Sequence, residues 1–140
     1  DYNKGFITHD VAKYICKFYK DVPVFVDTKK KDLKCFSNCF IKINNIEYEL
    51  LEDYNKNCEL IVTLGGEGAI YKDQIYKTKK VEVYDVCGAG DVFLSALVYK
   101  FAQNRNNKSA IHTANKLASY TVTKLGSYVL TKEDIQQLEK

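Results

Sequence analysis

The sequence has 140 residues, of which 46% are hydrophobic and 28% are charged, and its formal net charge is +3. These values predict one soluble globular domain with its own core. The lysines are spread along the chain, no apolar stretch approaches the roughly 20 residues of a membrane helix, and no secretory signal opens the chain. We therefore expect a cytoplasmic protein that has neither a nucleic-acid nor a membrane partner.

The first half of the chain predicts helices alternating with short apolar strands. In chain order these are a helix capped by Thr8, a strand in VPVFVD, a loop in KKKDLKC, a strand in CFIKI, a helix opened by asparagine in NNIEYELLEDY, and a strand in ELIVTLG. The continuous apolar character of VPVFVD is typical of a parallel strand that is buried on both faces.

The second half predicts a hairpin followed by helices. Its elements are a hairpin in GAIYKDQIYKT with Lys72 and Asp73 near the tip, an extended VEVYDV, an apolar helix in GDVFLSALVYKFAQN, a turn in RNNKS, a helix in AIHTANKLASYTVTKLG closed by Gly126, and a last helix with a capping signal at Thr131. Strands that alternate with helices indicate an α/β fold with a mostly parallel sheet.

The chain has an odd number of cysteines, and most of them lie in apolar runs. They are Cys16, Cys35, Cys39, Cys58 and Cys87. We expect reduced thiols in the core. Cys35 and Cys39 lack a second pair of ligands, so a zinc site is not expected.

The segment DVCGAGDVF carries the clearest chemical signal. Gly88, Ala89 and Gly90 open an apolar helix whose first amides have no partner within the helix, and glycine lets a ligand approach that backbone closely. Such a helix start is suited to a phosphate or a migrating phosphoryl group, and Asp91 beside it could accept a proton from an attacking hydroxyl. The alternative is a glycine turn with an aspartate cap.

Two further segments place polar groups just after strands. Asn44 and Glu47 are three residues apart and would share a helix face, where they could hold a hydrated magnesium ion or simply form an N-cap. Thr63, Gly65 and Gly68 follow the next strand, where they could contact phosphate or ribose or form a tight turn. No P-loop is present, and the bulky Phe93 argues against a dinucleotide fingerprint.

Together these segments resemble the ribokinase-like (PfkB) carbohydrate kinases. DVCGAGDVF resembles the family signature Asp-Thr-x-Gly-Ala-Gly-Asp, NNIE resembles its Asn-x-x-Glu motif, and VTLGGEGA resembles its nucleotide segment. The opening DYNKG, the stretch from VFVDTKKK to NNIEYE, and NKLASYTVTKLGSYVLTKEDI are similar to the heptose 7-phosphate kinase branch.

The resemblance implies a three-layer α/β fold and an ATP- and Mg²⁺-dependent kinase. Its substrate would be D-glycero-β-D-manno-heptose 7-phosphate, phosphorylated on the anomeric hydroxyl on the route to ADP-heptose and the lipopolysaccharide core. The alternatives are another sugar or nucleoside as substrate, or a non-catalytic nucleotide-binding module.

The resemblance also assigns roles to individual residues. It makes Asp91 the catalytic base, Gly88, Ala89 and Gly90 the anion hole, Thr63, Gly65, Gly68 and Asn115 nucleotide-binding residues, and Asn44 and Glu47 the metal motif. Three positions depart from the heptose branch, since Thr28 and Ile43 stand where proline is usual and Cys87 where threonine is usual.

The length is the largest departure from the family. Kinases of this family are about twice as long, so residues 1–140 are expected to be the carboxyl-terminal, nucleotide-binding half of a kinase domain. The expected partners are the amino-terminal half, a sugar phosphate, ATP, and a second copy in a homodimer. We expect the isolated piece to be inactive and to expose a strand edge and an apolar face.

Overall fold

The computed structural model describes residues 1–139, which form two compact units. The first unit comprises residues 1–64 and 70–74, and the second comprises residues 65–69 and the chain from residue 75 onward. The strands are β1 (Phe25–Asp27), β2 (Asp32–Leu33), β3 (Phe40–Asn44), β4 (Asp53–Tyr54), β5 (Glu59–Thr63), β6 (Ala69–Tyr71) and β7 (Gln74–Tyr76). The α-helices are α1 (His9–Phe18), α2 (Asn45–Glu49), α3 (Ala89–Asn104), α4 (Asn107–Thr121) and α5 (Lys132–Glu139).

Five strands form one sheet in the order β1-β3-β5-β6-β7. β1 pairs in parallel with β3, and β3 pairs in parallel with β5, so that Ile41 lies between Val26 and Leu60. Ile41 and Ile43 are fully buried in the core of the first unit. Each such side chain contributes about 1.5–3 kcal/mol to folding. The predicted α/β fold with a mostly parallel sheet is confirmed.

The first helix begins where the sequence predicts. The hydroxyl of Thr8 accepts a hydrogen bond from the Val11 N–H at 3.2 Å. The helix packs on the core through Ala12 and Cys16, whereas the aromatic rings on its other faces, Tyr14 and Phe18, are exposed. These two aromatic side chains are therefore not covered within the described chain.

The region around the second helix differs from the sequence prediction. Strands β2 and β4 form a separate parallel pair, although the sequence predicts a loop at the first and a continuing helix at the second. The helix ends after little more than one turn, because the Glu52 N–H donates to the Lys31 carbonyl at 3.0 Å instead of continuing the helical pattern. Full burial of Leu33 stabilises this pairing.

The predicted hairpin is present. Lys72 and Asp73 both have positive φ angles, 49° and 60°, as a two-residue turn of type I′ requires. The expected extended segment at residues 81–86 joins no strand within the described chain. Instead, the N–H groups of Tyr84 and Asp85 both donate to the carbonyl of Val122, just after α4.

The second unit is built around the pair α3 and α4. Its helices pack through mostly small and apolar side chains, namely Phe93, Ala96, Leu97, Ala110, Ile111, Ala114 and Leu117. Helix α4 starts three residues before the predicted point, because the Asn106 side chain accepts the Ser109 N–H at 2.9 Å. It ends at Thr121 and not at Gly126, so the predicted carboxyl end is wrong by about one turn.

The turn before the hairpin predicts a strict requirement for glycine at position 68. Gly68 has φ of +104°, and a Cβ there would lie 2.1 Å from the Tyr76 carbonyl oxygen. We expect Gly68→Ala to lower the free energy of unfolding by about 3 kcal/mol in urea titrations. Gly66→Ala is the control, since a Cβ at Gly66 meets nothing within 4 Å. Equal stability of the two variants would contradict this packing.

Helix α5 predicts a pH-dependent contribution to stability. Asp134 accepts hydrogen bonds from the Thr131 N–H and from the hydroxyls of Tyr128 and Tyr120, each at 2.9 Å, and the Thr131 backbone bond is the largest cause that lowers the pKa of Asp134 to about 2.

Because the folded-state pKa lies below the ordinary value of 3.8, this contribution is present above pH 3.8 and is lost as the pH falls toward 2. We expect Asp134→Asn to lower the melting temperature at pH 6, with the difference from wild type shrinking toward pH 2. Glu133→Gln in the same helix turn is the control. A difference that does not change with pH would contradict the assignment.

Candidate functional site

The first turn of α3 is half-buried and begins without a side-chain cap. Gly88 adopts the left-handed conformation, with φ of 77°, and provides no side chain to cap the helix. The Ala89 N–H donates to the Val86 carbonyl at 3.2 Å, while the N–H groups of Gly90 and Asp91 have no acceptor within residues 1–139. The positive end of the helix dipole and two unpaired donors therefore face the same space, as an anion site requires.

Asp91 is the third residue of this helix, and its side chain is exposed. Its carboxylate has no hydrogen-bond or ion-pair partner among the described residues, while its main-chain carbonyl accepts the Ser95 hydroxyl at 2.8 Å. An aspartate that served only as a cap would accept a helix N–H. The carboxylate is instead available to a ligand, so the capping interpretation lacks its defining bond.

A residue that the sequence analysis did not select holds the loop before α3 in place. Asp85 accepts the Cys87 N–H at 2.8 Å through Oδ1 and the Gly126 N–H at 3.1 Å through Oδ2. It thereby ties the glycine turn to the segment after α4. Its position as the first residue of DVCGAGD is the sequence feature that could have identified it. Cys87 is exposed, and the Ser127 hydroxyl donates to its sulfur at 3.3 Å.

Asn115 lies on the buried face of α4, and its amide is already engaged. Its Nδ2 donates to the Tyr76 carbonyl at 2.6 Å, and its main-chain carbonyl accepts the Ser119 hydroxyl at 2.7 Å and that of Thr78 at 3.3 Å. These bonds tie the end of β7 to α4. A role for Asn115 beside a nucleotide stays a prediction.

The glycines after β5 form a compact turn. Gly65 opens a short 3₁₀ helix with φ of 56°, and the Gly68 N–H returns to the Gly65 carbonyl at 3.1 Å. Gly68 then packs against the backbone of residues 76–78. The tight-turn interpretation therefore accounts for both glycines, and their contact with a nucleotide stays a prediction.

In the first unit, the ends of β3 and β5 bring three predicted residues together. Asn44 and Thr63 are paired in register as the last residues of their strands. Asn44 and Glu47 form a reciprocal capping box, in which Asn44 Oδ1 accepts the Glu47 N–H at 2.8 Å and Glu47 Oε2 accepts the Asn44 N–H at 2.7 Å. The N-cap alternative is thus present in the structure.

Charged residues beside this capping box were not predicted. Lys29 donates to Glu47 Oε1, and this hydrogen bond raises the pKa of the Lys29 ammonium despite the opposing effect of partial burial. Lys42 lies between two buried isoleucines of β3 and forms a 2.7 Å ion pair with Asp27, its register partner at the end of β1. A lysine inside an apolar strand was the signal that could have found this pair.

The residues of the predicted metal motif offer few free ligand atoms. Both Glu47 oxygens and Asn44 Oδ1 already accept hydrogen bonds, one of them from a lysine. Within residues 1–139 no cluster of three or more histidine, cysteine, aspartate or glutamate side chains could hold a metal ion. The two residues therefore fit contact with a hydrated cation through water better than direct coordination.

A cavity of about 200 Å³ lies beside α1 and β1 in the first unit. It is lined by apolar side chains that include Ile15, Val24 and Phe36, and none of the predicted site residues lines it. Among the described residues, no helix has both the length and the apolar character needed to cross a membrane.

Residues 41–134 match the family model described as "pfkB family carbohydrate kinase". The chain belongs to this family. The predicted membership is confirmed, and the curated relatives support the branch that the sequence indicated. "Bifunctional protein HldE" from Nitratiruptor sp. is 37% identical over 131 aligned positions, which cover 79% of this chain and 28% of that protein. "Bifunctional protein HldE" from Campylobacter concisus is 32% identical over 140 aligned positions, which cover 81% of this chain and 29% of that protein.

The chain spans less than a third of the length of the curated relatives it matches. Solved structures place this pfkB-family chain in the ribokinase fold. Ribokinase from Thermotoga maritima has a TM-score of 0.70 at 20% identity. The alignment covers 92% of this chain and 52% of the ribokinase. Phosphofructokinase-2 from Escherichia coli in complex with potassium has a TM-score of 0.77 at 16% identity. The alignment covers 94% of this chain and 52% of the phosphofructokinase. At these identities the similarity concerns the fold alone.

The ion pair between Asp27 and Lys42 predicts that two lysine substitutions differ in their effect on stability. Lys42→Ala leaves Asp27 without its partner, so we expect a loss of about 2–3 kcal/mol in the free energy of unfolding. Lys34→Ala removes an exposed pair with Asp53 at 3.6 Å and should cost at most about 1 kcal/mol. Chemical denaturation measures both, and equal costs would contradict the burial of the first pair.

Proposed function

We propose that the protein transfers a phosphoryl group from ATP to the anomeric hydroxyl of D-glycero-β-D-manno-heptose 7-phosphate, on the route to ADP-heptose and the lipopolysaccharide core. The observation that carries the proposal is the exposed, unpaired carboxylate of Asp91 next to the uncapped amides of Gly90 and Asp91. A base and an anion site then lie within one helix turn. The family to which the chain belongs supports this choice of chemistry.

In the proposed reaction, Asp91 accepts the proton of the sugar hydroxyl as its oxygen attacks the γ-phosphorus. The bond between the γ-phosphorus and the bridging oxygen breaks, and ADP leaves. The amides at the start of α3 donate to the phosphoryl oxygens, where negative charge is highest during the transfer. Asp85 is a positioning residue, because it fixes the loop that aims these amides.

ATP as the donor is supported by a structural neighbour. Aminoimidazole riboside kinase from Salmonella enterica, solved with aminoimidazole riboside and an ATP analogue, has a TM-score of 0.63 at 20% identity and covers 76% of this chain. We propose that Thr63, Gly65, Gly68 and Asn115 contact or support the nucleotide.

Magnesium, when bound, would neutralise charge on the ATP phosphates. We propose that Asn44 and Glu47 contact its water shell, in keeping with their engaged oxygens. Lys29 holds the Glu47 carboxylate in place for that contact.

The choice of heptose 7-phosphate rests on the relatives named "Bifunctional protein HldE". We propose that residues 1–140 are the carboxyl-terminal, nucleotide-binding half of a kinase domain, since the chain corresponds to about half of the ribokinase chain it resembles. The amino-terminal half would supply sugar contacts, and the whole protein would form a homodimer in the cytoplasm.

Another sugar or nucleoside as acceptor is the second candidate. The segment VTLGGEGA is closer to the general family than to the heptose branch, and the structural neighbours include an adenosine kinase from Sinorhizobium meliloti. Full-length protein assayed with ATP against heptose 7-phosphate, ribose, fructose and adenosine separates the candidates. Preference for any acceptor other than the heptose phosphate would overturn the substrate while leaving the kinase proposal in place.

The role of Asp91 predicts a selective loss of turnover. We expect Asp91→Asn in the full-length protein to lower kcat about a thousandfold, because the base is lost, while the dissociation constant for ATP changes little. Coupled ADP-release assays and calorimetry measure the two quantities.

Asp73→Asn is the matched control for this experiment. Asp73 lies at the tip of the β6–β7 hairpin with a positive φ angle that asparagine tolerates, so its kinetics should stay at the wild-type level. Unchanged turnover in Asp91→Asn would remove Asp91 from the chemistry, and absence of any kinase activity in the wild type would favour a non-catalytic nucleotide-binding module.

A further inference from the structure

Two buried cysteines face each other at the amino ends of β3 and β5. Cys39 and Cys58 immediately precede the register pair Phe40 and Glu59, and the Glu59 N–H donates to the Cys39 carbonyl at 2.9 Å. The two cysteines therefore occupy the next position of the same parallel ladder. Their sulfur atoms are 3.7 Å apart and form a hydrogen bond.

From this juxtaposition, we propose that Cys39 and Cys58 are an oxidation site, at which hydrogen peroxide converts the two thiols to a reversible disulfide. Neighbouring strands lie about 4.8 Å apart, within the range of about 4.4–6.8 Å between Cα atoms that disulfides bridge. The sulfurs have to approach by less than 2 Å to reach the bonding distance of about 2.05 Å. Side-chain rotation supplies this movement without a change of register.

The hydrogen bond also distinguishes the two thiols. The hydrogen bond with Cys39, together with backbone hydrogen bonds, lowers the pKa of Cys58 against the opposing effect of burial. The same bond and burial raise the pKa of Cys39. Cys58 is thus the more readily ionised of the two thiols and reacts first with the oxidant, and Cys39 then resolves the product.

The reaction balances with one molecule of peroxide. The Cys58 thiolate attacks one peroxide oxygen, the O–O bond breaks, and the departing hydroxide takes up a proton, which leaves a sulfenic acid on Cys58. The Cys39 sulfur then attacks the Cys58 sulfur, the S–O bond breaks, and the Cys39 proton leaves in a second water. Two thiols and one hydrogen peroxide give one disulfide and two waters.

Burial determines which oxidants reach the pair. Cys39 and Cys58 are 2% and 7% exposed, so a small uncharged molecule is a better reactant than a protein disulfide. Two other cysteines, Cys16 and Cys35, belong to the same buried cluster and are the competing partners in any cross-link.

The test is non-reducing peptide mapping of the folded full-length protein after titration with hydrogen peroxide and blocking with N-ethylmaleimide. Trypsin places Cys39 in the peptide of residues 35–42, Cys58 in residues 57–72, and Cys16 in residues 14–17. We expect a cross-link between peptides 35–42 and 57–72 as the most abundant disulfide, lost on addition of dithiothreitol.

Variants identify which sulfur of peptide 35–42 reacts. Cys35→Ser is the matched control, because Cys35 is equally buried and shares this peptide, and its cross-link should persist at the wild-type level. Cys39→Ser should abolish the cross-link, and Cys39→Ala serves if the serine variant does not fold. The proposal would be overturned by a cross-link that survives loss of Cys39 or by a dominant link to Cys16. Oxidation of Cys87 while Cys39 and Cys58 still react with N-ethylmaleimide would also overturn it.

Discussion

The parallel pairing of β3 with β5 is the constraint on which the first unit depends. Because the register aligns Asn44 with Thr63, the polar ends of the two strands meet at one edge of the sheet. The same register aligns Cys39 with Cys58 at the opposite edge, 3.7 Å apart at sulfur. A slip of one residue would turn every side chain of β3 to the other face, so the Asn44–Thr63 pair and the thiol pair both follow from a single alignment of hydrophobic strands.

The second unit depends on a helix that begins without a cap. Most helices satisfy their first amides with a side chain, as Asn106 does for α4 in this chain. Helix α3 instead begins with a left-handed glycine, and two of its amides remain without a partner in the described chain. Those N–H groups can therefore still form hydrogen bonds to a ligand, and the unpaired carboxylate of Asp91 lies beside them.

The charges beside the capping box are arranged in pairs whose partners come from different elements. Asp27 neutralises Lys42 across β1 and β3, and Lys29 binds Glu47 across the connection to α2. Such pairs add little to stability in themselves, but removing one partner leaves the other charge partly buried without a counterion, which is destabilising. The Lys29 pair holds the orientation of the Glu47 carboxylate, which is the property that a contact with a hydrated cation would need.

Elements encoded by local patterns were predictable. The apolar runs of β3 and β5, the Lys72–Asp73 turn, the Thr8 cap and the glycine turn before α3 each depend on neighbours within a few residues, and the structure contains all of them. The β2–β4 pair was missed because two residues in each strand are too few for a periodic pattern, and the strands form only by pairing across about twenty residues. The early end of α2 was missed for a similar reason, because it depends on the hydrogen bond from the Glu52 N–H to the distant Lys31 carbonyl.

The amino-acid sequence by itself determined the alternation of strands and helices, the family signature and the position of Asp91 at the start of α3. Tertiary structure decided which side chains meet, because Asp27 with Lys42, Asp85 with Gly126, and Cys39 with Cys58 are brought together by register and packing over separations of 15 to 41 residues. No local pattern specifies such contacts, since their free energy depends on burial and on the geometry of two elements at once.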